Sequence, residues 1–144
     1  MNPRVWLFPP RSRHFPGQRW TNIGLRTLHL LGVAGLGAGF LYPAADGAWQ
    51  DYLSLTLASG LALSAIAVWS NGIWLIQLRG QAILLKTALL GLVTLWPEGR
   101  TGLFIAVLVI SGLIAHAPAR VRYYSVWHGR HIENLGTVDS TPDL

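Results

Sequence analysis

Four apolar stretches divide this sequence, and each ends in proline, glycine or a polar turn. They lie at about residues 23–42, 52–77, 82–96 and 102–117. A helix needs about 20 apolar residues to cross a bilayer, so the last two stretches require local thinning or a kinked extension. Only 12% of the 144 residues are charged, about half the share in soluble domains. The sequence therefore predicts an all-α fold, an integral membrane four-helix bundle over residues 23–117 between terminal segments 1–22 and 118–144.

The basic residues predict how the chain is oriented. If both termini lie on one side of the membrane, ten of the eleven lysines and arginines lie there too, and Arg100 is opposite. Lysine and arginine near span ends are enriched on the cytoplasmic side. Both tails are therefore predicted to be cytoplasmic, in a bacterial inner membrane. The sequence pI near 10.5 then reflects topology, and nucleic acid is not an expected partner.

Glycines reduce the side-chain bulk of the first stretch. Gly35 and Gly39 form a G-x-x-x-G pair, and Gly32 extends the same thin surface. Small residues let membrane helices approach closely. Gly35 and Gly39 are therefore predicted to contact another helix, either in this bundle or in a partner. The alternative is that the glycines leave room for a flat cofactor such as haem.

An ionisable side chain, His29, lies inside the same stretch. Polar groups in hydrocarbon are costly unless a partner satisfies them, so His29 is a functional hypothesis. The predicted topology places His116, Arg26, Asn71 and Lys86 at a similar depth, in the cytoplasmic half of the bundle. This convergence suits a ligand pocket or a bis-histidine haem site with His29 and His116 as ligands. The alternative is structural: His29 donates to a carbonyl or to Asn71, while Arg26 and Lys86 extend toward phosphate headgroups.

The string LHLLG at residues 28–32, followed by GAGFL at residues 37–41, resembles the first helix of copper-resistance-protein-D-like and related b-type cytochrome membrane domains. The resemblance implies a bundle of four or more helices in which helix histidines bind haem b or metal. It implies that His29 is such a ligand. This chain has no second histidine deep in an apolar stretch and no methionine besides Met1. The resemblance therefore implies a single haem, near the cytoplasmic face.

The N-terminal segment mixes arginines with aromatic residues and prolines. Trp6, Arg11, Arg13 and Trp20 suit anionic lipid headgroups or an acidic groove on a partner subunit. The prolines favour an extended path. We expect ordered docking on another subunit, and the alternative is a solvated tail that only sets topology.

The C-terminal segment has the spacing of an amphipathic helix. Val121, Tyr124, His128, Ile132 and Leu135 recur at helical steps of three and four. We expect a helix on the membrane surface or on a partner subunit. Its expected contact residues are Tyr124 and Trp127. A less favoured alternative is a metal shared by His128 and His131, with His14 or Glu133 as third ligand.

The motifs of common enzyme classes do not occur. The sequence has no H-E-x-x-H, no G-x-S-x-G and no phosphate-binding glycine loop, so an enzyme is not expected. The expected function is a small non-catalytic accessory or assembly subunit that packs against a larger respiratory or photosynthetic membrane complex. The alternative is a b-type haem-binding electron-transfer subunit. A transporter component ranks last because no stretch carries a polar stripe along its whole length.

Overall fold

The computed structural model describes residues 6–43, 45 and 47–132, and it is mostly helical. Glu133 and Leu135 lie outside the described residues. The order of elements is α1 (Gln18–Leu41), α2 (Gln50–Ser70), α3 (Ile73–Ile76), α4 (Leu78–Leu92), a 3₁₀ turn (Pro97–Gly99), α5 (Arg100–His116), α6 (Ala119–Arg122), β1 (Tyr124–Ser125) and β2 (Arg130–His131). Three helical segments in the described part are long and apolar enough to cross a membrane, namely Gln18–Leu41, Gln50–Ser70 and Pro97–His116.

The second apolar stretch is broken earlier than the sequence predicts. Helix α2 ends at Ser70, and the prediction of a continuous span to residue 77 is wrong. Asn71 is extended, and its side-chain Oδ1 accepts a hydrogen bond from the Ile73 amide at 3.1 Å. The amide of Gly72 donates to the Leu7 carbonyl at 2.8 Å, and a side chain on Gly72 would overlap Leu7. The Gly72 amide bonds to the N-terminal segment instead of to a carbonyl of α2, and this contact accompanies the end of the helix at Ser70.

Helices α1 and α2 form a closely packed antiparallel hairpin. Each of three glycines on α1 faces a larger residue of α2, or of the position just before it, too closely for any side chain to fit. These pairs are Gly39–Trp49, Gly35–Tyr52 and Gly32–Thr56. The close contact of Gly35 and Gly39 lies within the hairpin, where Tyr52 and Trp49 occupy the space beside them.

One turn further along the hairpin, the size relation reverses. Gly60 belongs to α2, and a Cβ built on it would lie 3.1 Å from Cε1 of His29 on α1. Here the larger side chain comes from α1 and the glycine from α2. The hairpin therefore has a space for His29 that the sequence of α2 provides.

The buried core lies at one end of the bundle, which we call the loop end because it contains the turns after α1 and α4. Phe40 stacks edge-on against Trp49 and Phe104, with ring centroids 5.3 and 5.7 Å apart. Thr101 Oγ1 donates to the Phe40 carbonyl at 2.8 Å. The buried cluster draws on all four long helices and consists of Leu36, Phe40, Leu53, Leu90, Val93 and Phe104. The opposite end, which carries both terminal segments, is the terminal end.

The N-terminal segment packs on this chain itself. The Arg13 amide donates to the Ser70 carbonyl at 2.9 Å, and the Phe15 ring meets Trp69 edge-on at 5.8 Å. The Arg13 guanidinium also donates to the carbonyls of Trp69 and Trp6. Arg13 is therefore docked on this chain, at the end of α2, whereas the Trp6 side chain is 50% exposed. Docking of the segment on another subunit stays a prediction.

In the part that the structure describes, up to Ile132, the C-terminal segment is a short helical turn and a hairpin instead of the predicted continuous helix. Helix α6 stops at Arg122, and β1 pairs with β2 in antiparallel register, Tyr124 with His131 and Ser125 with Arg130. Gly129 adopts φ +62°, a left-handed conformation that closes the turn. The helical spacing of the apolar residues therefore does not determine this conformation. Gly129 forms the turn, and the distant Gln77 binds the end of the segment at Ile132.

Candidate functional site: a cavity at the terminal end of the bundle

A cavity of about 560 Å³ lies between the four long helices, within the size range of small-molecule sites. The residues of α1 that line the cavity recur at steps of three and four, so they lie on one face of the helix. From the mouth inward this face changes from polar to apolar, in the order Gln18, Asn22, Arg26, His29, Val33 and Leu36. Leu36, Leu90 and Phe104 belong to the buried core and close the cavity at its inner end.

Hydrogen bonds orient the His29 ring. Its Nδ1 lies 3.0 Å from the Thr56 carbonyl oxygen and 3.1 Å from Ser59 Oγ. A carbonyl oxygen only accepts, so Nδ1 carries the proton. Ser59 Oγ donates to the Leu55 carbonyl at 2.6 Å and accepts from His29. In the neutral ring, Nε2 is then the nitrogen with the lone pair, free to accept a hydrogen bond or bind a metal. The expected carbonyl partner of His29 is found.

Two cations line the same cavity. Lys86 Nζ donates to Ser111 Oγ at 3.0 Å, and Ser111 Oγ donates onward to the Val107 carbonyl at 2.7 Å. Arg26 also lines the cavity and is exposed. Among the described residues, no aspartate or glutamate lines the cavity. The positive charge of the cavity is therefore not balanced by a carboxylate from its own walls.

His116 and Asn71, which the sequence places with His29, do not line this cavity in the described part of the chain. His116 is exposed, and its Nδ1 donates to the Gly112 carbonyl of its own helix at 2.8 Å. Asn71 Nδ2 lies 3.4 Å from Ser12 Oγ at the end of α2. The cavity thus brings together His29, Arg26 and Lys86 from the predicted set, and leaves His116 and Asn71 outside its walls.

Histidines of the C-terminal segment are involved in local contacts. His128 Nδ1 lies 3.0 Å from Ser125 Oγ, and the His131 ring meets Tyr123 edge-on at 5.8 Å. Within residues 6–43, 45 and 47–132, no three histidines or carboxylates lie close enough together to hold a metal ion.

Sequence reasoning missed Gln77, which joins the C-terminal hairpin to the bundle. Its side chain is 1% exposed. Nε2 donates to the Ile132 carbonyl at 2.7 Å, while Oε1 accepts from Arg79 Nε at 2.7 Å. Its backbone also forms a bridge with Ser125. In the sequence, Gln77 is a single amide side chain at the end of an apolar stretch. Such a residue is equally typical of a helix end, so its contact with the C-terminal segment could not be predicted.

Large aromatic side chains remain exposed around the terminal end. Trp127 lies in the turn of the hairpin and is 78% exposed, with its neighbour Val126 at 60%. Trp20 is 76% exposed at the start of α1, and Tyr124 is partly exposed. Arg11 is exposed as well. These positions are accessible in the isolated chain.

No family model, no curated protein and no solved structure matches this chain.

Proposed function

We propose that this chain is a small, non-catalytic accessory subunit of the bacterial inner membrane, crossing it four times and packing against a larger respiratory or photosynthetic complex. Three helices with the length and composition of spans support membrane insertion. The fourth crossing is α4, which has 15 residues and a length of about 23 Å. Its support is that Leu90 joins the same core as Leu53 and Phe104, so α4 runs beside the other three.

The observation that carries the subunit proposal is the exposed tip of the C-terminal hairpin. Trp127 and Val126 follow the last span, and the buried Gln77 side chain fixes the hairpin to the bundle. An exposed apolar patch on an ordered element marks an interaction site. Tryptophan is among the residues that contribute most to binding at interfaces. A partner subunit that covers Trp127 would explain why this apolar tip is exposed in the isolated chain and why the hairpin that carries it is anchored to the bundle.

The topology can be tested directly because the chain has no cysteine. Single substitutions Ser12→Cys, Thr94→Cys and Ser140→Cys place one thiol on each relevant segment. We expect a membrane-impermeant maleimide to label Thr94→Cys in intact spheroplasts, and to label the other two only after the membrane is opened. Labelling of Thr94→Cys only after opening would mean that α4 does not cross, and that the four-span topology is wrong.

The partner is tested by purification in a mild detergent from the native membrane. We expect a stoichiometric second membrane protein to accompany the wild-type chain, and Trp127→Ala to lose most of it because the anchor at the interface is gone. Trp96→Ala is the matched control, since Trp96 is 53% exposed at the loop end. Recovery of the wild type as a lone monomer, or equal partner loss from both variants, contradicts the proposal.

The alternative function is a b-type haem-binding electron-transfer subunit. The observation that favours it is the hydrogen bond from His29 Nδ1 to the Thr56 carbonyl, the kind of outer contact that orients a ligating imidazole. Under this alternative the purified protein is coloured. Dithionite gives a sharp α-band, and His29→Ala removes it.

A further inference from the structure

We propose that the bundle cavity binds one anionic lipid, with its charged group at Arg26 and Lys86 and one acyl chain toward Leu36 and Phe104. This goes beyond the subunit role, because the ligand would occupy the interior of the chain and not its partner surface. The shared chemistry is one anionic group attached to an acyl chain. A free fatty acid and an acidic phospholipid both supply it.

Charge is the first argument. Arg26 and Lys86 line the cavity, and within the described part of the chain no carboxylate joins them there. Asp51 lies in the first turn of α2 and Glu98 in the 3₁₀ turn, so both are at the loop end. Cations at membrane depth normally pair with an opposite charge or reach the headgroups. A bound anion would supply the missing charge for both side chains at once.

Depth is the second argument. Arg26 and Lys86 each lie eight residues from the start of their helices, Gln18 and Leu78. At 1.5 Å per residue this is about 12 Å along each helix from its first residue. Both side chains line the same cavity, where they can hold a single anionic group. Lys86 is half-buried, which separates this site from ordinary contacts with headgroups at the bilayer surface.

The polarity of the walls is the third argument. Beyond His29 the wall of α1 continues with Val33 and Leu36, and the inner end is apolar. Toward the mouth, a second hollow shares Gln18, Asn22 and Arg26 with the cavity and adds His14 and Arg19. Inorganic phosphate would leave the apolar end empty, and a neutral quinone would leave both cations unpaired. An amphiphile with one anionic end fits both the cations near the mouth and the apolar inner end of the cavity.

The test is native mass spectrometry of the full chain, delipidated in a neutral detergent. The probes are oleate, phosphatidylglycerol, oleyl alcohol and phosphatidylcholine. We expect one bound molecule per chain for an anionic probe, and at least tenfold weaker binding of oleyl alcohol and phosphatidylcholine. Preference for oleate identifies a fatty acid as the source, and preference for phosphatidylglycerol identifies a phospholipid. Equal binding of charged and uncharged probes, or none of any probe, overturns the proposal.

Variants tie the binding to the two cations. Lys86→Met keeps the length of the side chain and is expected to weaken anionic binding about tenfold or more, the effect of losing one charged hydrogen-bond donor. Lys86→Arg keeps the charge and is expected to restore binding, which separates the effect from misfolding. Arg120→Gln is the matched control, since Arg120 belongs to α6 and does not line the cavity. Equal losses in Lys86→Met and Arg120→Gln, or a haem band in the purified protein, would rule the lipid site out.

Discussion

A methyl group added at Gly35 is expected to destabilise the protein, whereas the same methyl at Gly24 is expected to stabilise it. A Cβ on Gly35 would overlap the Tyr52 ring at Cγ, its attachment point, and rotation of the ring about the Cβ–Cγ bond does not move that atom. Overpacking of this kind costs about 1–3 kcal/mol. Replacing a helical glycine by alanine gains about 0.5–1 kcal/mol, so the net change at Gly35 is a loss of stability.

Gly24→Ala is the matched control because it lies on the same helix with nothing within 4 Å of the added atom. The measurement is unfolding in mixed detergent micelles as the denaturing fraction rises, followed by circular dichroism. Gly35→Ala should shift the midpoint down, Gly35→Leu further down, and Gly24→Ala slightly up. A rise in the midpoint for Gly35→Ala would show that α1 and α2 are not packed in this register.

Substitution of Gln77 by leucine is expected to release the C-terminal hairpin from the bundle. The change removes the donor to the Ile132 carbonyl and the acceptor for Arg79. A buried polar group that loses its partner costs about 1–3 kcal/mol. The substitution leaves the backbone bridge to Ser125 and the buried Ile132 side chain in place, but the Ile132 carbonyl loses its donor. We therefore expect trypsin to cleave after Arg120, Arg122 and Arg130 at least tenfold faster.

Gln81→Leu is the control for this experiment, since Gln81 lies one turn further along α4. Its rate of trypsin cleavage should match that of the wild type. Mass spectrometry of the fragments identifies the cleaved bonds. If Gln77→Leu is cleaved no faster than Gln81→Leu, the hairpin is held by contacts other than the Gln77 amide.

The sequence predicts those parts of the fold that depend on composition along the chain. The helical class and the four apolar segments follow from hydropathy, and the G-x-x-x-G pair indicates a close helix contact. The break after Ser70 does not follow, because Leu7, which is distant in sequence, supplies the carbonyl that the Gly72 amide requires. The C-terminal hairpin fails for the same reason, since Gln77 acts on a segment 55 residues away.

The candidate site could be predicted only in part, for a related reason. An ionisable residue inside an apolar stretch is visible in the sequence, and His29 and Lys86 are found there. Whether two such residues share one wall depends on rotation of each helix about its axis, which the topology leaves open. His116 is the last residue of α5, whereas His29 lies well inside α1, and the His116 ring is hydrogen-bonded to the Gly112 carbonyl of its own helix. The depth assigned from the sequence therefore selected too many residues.

The exchange of large and small residues between α1 and α2 limits how the two helices can align. Sliding α1 by one turn in one direction would bring His29 against Thr56, and in the other direction would leave Gly32 opposite Gly60 with a void between them. Only one alignment avoids both a collision and a gap. The packing of the hairpin therefore selects this alignment, and we expect a larger side chain at position 60 to be tolerated best when the side chain at position 29 becomes smaller.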